Sequence, residues 1–259
     1  MKKLKNLINR HISLVTFSLI IFIWQISGNL GLLPKFIIPT PLEIARAFIK
    51  NYNQLLFHSK ITIIEAFIGL SYGILIACLL AVLMDTFNSF NRAIYPLLII
   101  TQTVPTIAIA PILVLWLGYG MAPKIVLIII TTTFPIIISI LDGFRNADED
   151  TIQLLKLMKA NKWQIMKHVK IPNSLSYFYA GLRVSVSYAF IAAVVSEWLG
   201  GFEGLGVYMI RTKKLFQYDT MFAIIILVSA ISLLSMKIIK ISEKKLIKWK
   251  YIGENDENN

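Results

Sequence analysis

The 259-residue chain is 56% hydrophobic, has a mean hydropathy of +0.69, and carries charge on only 15% of its residues. Soluble domains hold about 25% charged and about 45–50% apolar residues, so this composition excludes an ordinary soluble fold and indicates a polytopic membrane protein. The net charge of +12 would suit nucleic acid, but no groove-reading motif accompanies it, and cations beside apolar runs are what membrane orientation requires.

The chain opens on a basic arm with Lys2, Lys3, Lys5 and Arg10. The apolar run from Ile12 to Leu33 leads to Pro34 and not to a small-residue cleavage site, so it reads as a first span and not as a signal peptide. Pro34, Pro39 and Pro41 mark an extended entry, and Thr40 is placed to cap a short amphipathic helix from Pro41 to Asn53. Leu42, Ala45, Phe48 and Ile49 form the apolar side expected of that helix.

The second span runs from Ile61 to Met84. Glu65, near its start, either faces protein or water or reaches the interface, because a carboxylate in hydrocarbon is costly. Gly69 and Gly73 form a small-xxx-small pair that permits close helix approach. The third span, Ala93 to Trp116, holds Thr101, Gln102, Thr103, Pro105, Thr106 and Pro111. Proline removes backbone hydrogen bonds and bends helices, and in lipid the freed groups need partners. Polar side chains beside such a bend fit a helix facing a pathway; a bent helix buried in the bundle is the plainer reading.

Gly118-Tyr119-Gly120 makes a tight turn into a fourth span, Lys124 to Leu141, bent near Pro135. A charged loop follows, over about 142–173. Within it Lys156, Lys159, Trp163, Lys167 and Lys170 recur at steps of three and four, which places them on one helix face. Leu155, Met158, Ile165 and Val169 form an apolar stripe that a partner groove could accept, and Pro172 ends the segment. The plainer reading is a solvated loop whose lysines face anionic lipid. The fifth span, Ser176 to Leu199, carries Arg183, placed to snorkel or to pair inside the bundle, and Glu197 near its end. A Gly-rich connection over Gly200 to Tyr218, a sixth span from Thr220 to Ile239 and a basic tail complete the chain.

The fold class is therefore all-α, a single membrane domain over 1–259 with about six transmembrane helices and a core over about 60–240. With both termini inside, seventeen Lys and Arg fall on the inner side and eight on the outer, leaving Arg183 uncounted, so the asymmetry places the termini and the long loop in the cytoplasm. There is no Gly-x-x-x-x-Gly-Lys-[Ser/Thr] loop for nucleotide phosphates, and the Gly-x-Ser-x-Gly match at Gly69-Leu70-Ser71-Tyr72-Gly73 lies inside an apolar span and not at a strand-to-helix elbow. His11, His58 and His168 are far apart, and Cys78 stands alone in an apolar run. No catalytic residue, metal or cofactor is expected. An ion-coupled secondary transporter would show internal repeats and mid-membrane carboxylates, and neither is visible.

The 148–200 stretch resembles the cytoplasmic loop and following span of ABC-importer permeases of the binding-protein-dependent kind. Gln153-Leu154-Leu155, Lys159 and Ile171-Pro172 stand where that family carries Glu-Ala-Ala, Gly and Leu-Pro. Gly181-Leu182-Arg183, the run from Glu197-Trp198-Leu199-Gly200 to Gly204-Leu205-Gly206, and the segment from Gln102 to Gly118 also look like this family. The branch is that of nitrate, sulfonate and taurine permeases. Within it Leu157 to Ile165 looks most like permeases for thiamine precursors of the hydroxymethylpyrimidine type.

The resemblance implies two permease copies, two ABC ATPase subunits and one external substrate-binding protein, with ATP hydrolysis on the separate ATPase. It implies a multi-pass protein of a prokaryotic cytoplasmic membrane. Gln153, Lys156, Met158, Lys159, Trp163 and Lys167 become candidates for coupling to the ATPase. Thr101, Gln102, Thr103, Pro105, Thr106 and Glu197 become candidates for the translocation pathway. An aliphatic sulfonate, taurine or nitrate is the alternative cargo.

Overall fold

A computed structural model describes residues 2–32, 34 and 37–247. The expected end of the first span at Leu33, the side chains of the basic arm and the tail lysines at 248 and 250 lie outside the described residues. Those residues form α1 (Lys2–Asn29), α2 (Pro41–Lys50), α3 (Tyr52–Thr86), α4 (Asn88–Thr103), α5 (Thr106–Leu117) and α6 (Met121–Arg145). After them come α7 (Glu149–Leu157), α8 (Lys162–Ile165), α9 (Ile171–Gly200), α10 (Leu205–Lys214) and α11 (Tyr218–Leu246), with no strand among the described residues. Four helices, α3, α6, the run from Lys162 to Gly200, and α11, are long and apolar enough to cross a membrane; the bent pair α4 and α5 makes a fifth. The described apolar part of α1, Leu14–Asn29, is shorter than these.

The chain divides into two compact units, Met1–His58 with Tyr208–Leu227, and Ser59–Val207 with Val228–Asn259. In the first, α2 starts as expected. The Thr40 hydroxyl accepts from the Glu43 amide at 3.3 Å, and the Glu43 carboxylate accepts from the Thr40 amide at 2.7 Å, closing a capping box. The helix stops at Lys50, and its buried face is Ile44 and Ala47, packed with Phe48, Trp24, Phe222 and Ala223. Leu42, Ala45 and Ile49 are exposed, contrary to the expected face. A step of 100° per residue puts 44, 47 and 48 together and turns 42, 45 and 49 away.

In the second unit α6 is the hub. Leu127, Ile128, Ile136 and Ile137 are fully buried, because α6 is apolar all round and is covered by neighbours. Hydrocarbon gives no hydrophobic drive between helices, so close van der Waals packing must hold them. Gly69 and Gly73 supply that closeness: a Cβ on Gly69 would lie 2.6 Å from the Ile128 side chain, and Gly73 rests on Thr132. The Ser185 hydroxyl of α9 donates to the Thr132 carbonyl at 2.8 Å.

The third span is not one kinked helix: α4 and α5 meet at 104°. Pro105 restricts Val104 to extended backbone (φ −82°, ψ 123°), and the chain turns there. Pro172 does not end the polar segment. α8, a widened π-turn over Met166–Lys170 and α9 form one 39-residue helical run. In that turn the Ile171 amide donates to the carbonyl of Met166, five residues back, which loosens the turn where the Pro172 ring would press on the His168 carbonyl. The connection after Gly200 is not wholly loop, since α10 occupies Leu205–Lys214, with Arg211, Lys213 and Lys214 in its last turn, where cations suit the helix dipole.

Candidate functional site

The break between α4 and α5 borders a pocket of about 270 Å³. Gln102, Val104, Pro105 and Thr106 line it from the break, Thr131 from α6, and Tyr188, Ile191 and Ala192 from α9. Of the expected pathway residues, Gln102, Pro105 and Thr106 are therefore brought together. Thr101 and Thr103 are not among the lining residues; their hydroxyls donate back to the carbonyls of Leu98 (2.7 Å) and Ile100 (2.9 Å). No side chain caps α5, so the break also leaves backbone groups without helical partners. The lining offers amide, hydroxyl and phenol groups and no charged side chain, which suits hydrogen bonding to a small neutral solute. Thr131 and Tyr188 are additions to the expected set. The Thr131-Thr132-Thr133 run inside an isoleucine-rich span was the available signal for the first.

The segment between α6 and α9 is folded sharply. Asp148 caps α7, accepting from the Thr151 hydroxyl and from its amide at 3.3 Å. The hydroxyl bond, above all, holds the Asp148 carboxyl below the usual carboxylate range. α7 then stops in a turn with Lys159 at φ 61°. The Lys159 amide donates to the Lys156 carbonyl and the Ala160 amide to the Leu155 carbonyl, both at 2.9 Å, as in a glycine-closed helix end. Lysine thus holds the left-handed turn at the very position where the resembling family carries glycine. Asn161 and Gln164 begin α8 with a second capping box, at 2.7 and 2.8 Å.

Because of that turn, Lys156, Lys159, Trp163, Lys167 and Lys170 do not share one helix face. Nor does the expected apolar stripe stand free: Ile165 is buried in the chain's own core, and Leu155 and Val169 are half-buried. The apolar side chains left exposed are Leu154, Leu157, Met158 and Trp163, with Leu157 at 82% and Met158 at 70%. Gln153, Lys156, Lys159 and Lys167 are exposed beside them. Lys170 instead pairs with Asp85 of α3 at 2.6 Å.

Glu197, expected on the pathway, is not among the residues lining the pocket at the break. It is 1% exposed and fastens a loop. Its carboxylate accepts from the Thr62 hydroxyl at 2.7 Å and from the Gly206 amide at 2.5 Å, and the Thr62 oxygen accepts from the Leu205 amide at 2.9 Å. Gly204 lies against the same carboxylate at φ 120°, and a Cβ there would run into it. Next to Glu197, Glu65 pairs with Lys124 at 2.6 Å, so Glu65 faces protein and does not reach an interface. Arg183 likewise pairs inside the protein, with Glu243 of α11. Among the described residues no group of three or more His, Cys, Asp and Glu side chains could hold a metal ion.

The family described as "Binding-protein-dependent transport system inner membrane component" matches residues 72–248. A probable ABC transporter permease protein of Haemophilus influenzae is 36% identical over 220 residues, 85% of this chain and 90% of that one. The formylaminopyrimidine transport permease protein ThiX of Halalkalibacterium halodurans is 36% identical over 235 residues, 90% of this chain and 94% of that one. Among solved structures, a bacterial ABC transporter involved in the import of the acidic polysaccharide alginate superposes with a TM-score of 0.66 at 14% identity, over 95% of this chain and 99% of that one.

Proposed function

This chain belongs to the family of binding-protein-dependent transport system inner membrane components, and on that premise we propose that it carries a neutral aminopyrimidine, a thiamine precursor, across the membrane. It is the multi-pass permease subunit of an ABC importer and not itself an enzyme. That membership removes the ion-coupled carrier. The observation that supports the cargo is the uncharged, hydrogen-bonding pocket at the α4–α5 break, where Gln102, Thr106 and Tyr188 supply donors and acceptors and Thr131, whose hydroxyl donates to the Leu127 and Ile128 carbonyls, supplies an acceptor. A dedicated path for a sulfonate or nitrate would be expected to place a cation there. The 36% identity to a formylaminopyrimidine permease points the same way.

In this reading two copies of the chain enclose the path, an external binding protein delivers the solute, and two ATPase subunits dock on the 146–170 segment from the cytoplasm. Leu154, Leu157, Met158 and Trp163 fill the ATPase groove, with Gln153, Lys156, Lys159 and Lys167 around them. ATP binding favours one conformation only through contacts that differ between the two states, and this segment supplies them. Both termini are cytoplasmic, so an impermeant thiol reagent on intact cells labels a cysteine at position 213 and not one at 156.

The test of the cargo is a deletion of the chain's gene in a strain that cannot make the pyrimidine. Uptake of labelled pyrimidine precursor is expected to vanish. If that uptake persists while taurine or alkanesulfonate uptake is lost, the pyrimidine assignment fails and the permease stands.

A further inference from the structure

Where α3 stops and α9 begins lies a second cavity, of about 450 Å³, within the range of small-molecule sites. It is separate in its lining from the pocket at the broken helix. Three cations line it from three different elements: Arg145 at the end of α6, Lys156 in the last turn of α7 and Lys162 at the start of α8. Their charge is poorly balanced. Both oxygens of Asp85 are taken by Lys170, at 2.8 and 2.6 Å. Among the described residues Arg145 pairs with Asp142 alone, at 3.9 Å and on the exposed surface. Glu149 is the other carboxylate in the lining, so four cations face two anions.

The rest of the lining is apolar except for Thr86. Phe144, Ile165 and Met166 are at most 7% exposed. Orientation in the membrane explains cations anywhere in this segment. It does not explain their convergence, from positions 145 to 162, on one cavity with an apolar floor. Guanidinium and ammonium groups beside a flat apolar surface are the chemistry that holds a phosphate joined to an apolar body.

We propose that this cavity binds a phosphate monoester or the headgroup of an anionic phospholipid, with the phosphate held by Arg145, Lys156 and Lys162 and the apolar body resting on Phe144, Ile165 and Met166. An occupant joins α6 to α7 and α8 and so braces the turn at Lys159. The proposal does not depend on the pyrimidine cargo.

The experiment uses the full-length chain in nanodiscs of phosphatidylcholine alone, and of phosphatidylcholine mixed with phosphatidylglycerol. Phenyl phosphate is the probe and benzyl alcohol the uncharged control, both followed by calorimetric titration. Phenyl phosphate is expected to saturate in phosphatidylcholine discs, and the double substitution R145Q/K162Q to weaken it by about tenfold or more. The charge-keeping R145K/K162R retains binding, which separates loss of charge from loss of fold. If phosphatidylglycerol displaces the probe from the parent chain, the resident is a lipid headgroup; if the probe still binds, it is a soluble phosphate ester. Binding no better than that of benzyl alcohol, or undiminished in R145Q/K162Q, overturns the proposal.

Discussion

The two ends of the larger compact unit hold their charges in opposite ways. At the Glu197 end, the side chains of Glu65, Glu197 and Lys124 are almost wholly buried, and Glu197 with Thr62 fastens a loop through hydrogen bonds of 2.5–2.9 Å. At the Lys170 end, the Asp85–Lys170 pair is part-exposed, a charged cavity stands open, and the turn beyond it carries Leu157 and Met158 into the open. A buried charge that loses its partner is strongly penalised, so the first end tolerates few arrangements. A solvated charge costs little to move, so the second end can yield to a partner's grip.

Breaking the first end should have the largest effect. Lys124→Met leaves Glu65 buried without its cation beside a second carboxylate and is expected to cost about 3–5 kcal/mol. Thermal unfolding in detergent reads this, and adding Glu65→Met should recover most of it. Lys170→Met at the other end should cost only about 1–2 kcal/mol; equal losses would erase the contrast. Next come Met158→Asp and Trp163→Asp, which should leave the unfolding temperature in place and weaken ATPase co-purification by about 2–3 kcal/mol. Unchanged co-purification in both variants would remove this segment as the docking element.

Gly204→Ala probes the fastening of the loop. Strained backbone together with the Glu197 carboxylate in its path should cost about 2 kcal/mol, seen as faster hydrogen exchange at the Leu205 and Gly206 amides. Lys159→Gly works in the opposite direction. It relieves a left-handed lysine and should gain about 1 kcal/mol, slowing exchange at the Lys159 and Ala160 amides.

The smallest effect is on α7. The depressed Asp148 carboxyl contributes its cap fully above the ordinary carboxylate pKa of about 3.9, and the contribution disappears as pH falls through the still lower folded value. Exchange in Glu149–Leu157 should therefore accelerate only in that acid window, and Asp148→Ala should remove the dependence.

Much of this was legible in the sequence, and the misses have physical reasons. Apolar runs located the four long spans and the bent fifth, while the described part of the expected first span is shorter than these, and Thr40-Pro41 announced its own helix start, because those signals are local. The family resemblance in the 148–200 stretch was legible too. The helical period across 156–170 misled, because periodicity assumes one unbroken helix and one left-handed residue ends it. Pro105 announced a bend but not its 104°, since the angle depends on what packs on either side. Glu65 could not be assigned a partner, because Lys124 lies 59 positions away and only packing brings them together. Asp85 and Lys170, 85 positions apart, escaped for the same reason.

The widened turn at Met166–Lys170 has a consequence for angle. A π-turn closes its hydrogen bond five residues back, so it carries one residue more than the α-helical turn needs. Removing that residue restores regular winding and rotates everything before it by about 100° about the axis of α9. Trp163, now exposed, would then face another direction, while α9 and its contacts with α6 stayed where they are. One residue of length thus sets the angular phase between the polar segment and the span behind it, independently of which side chains either one carries.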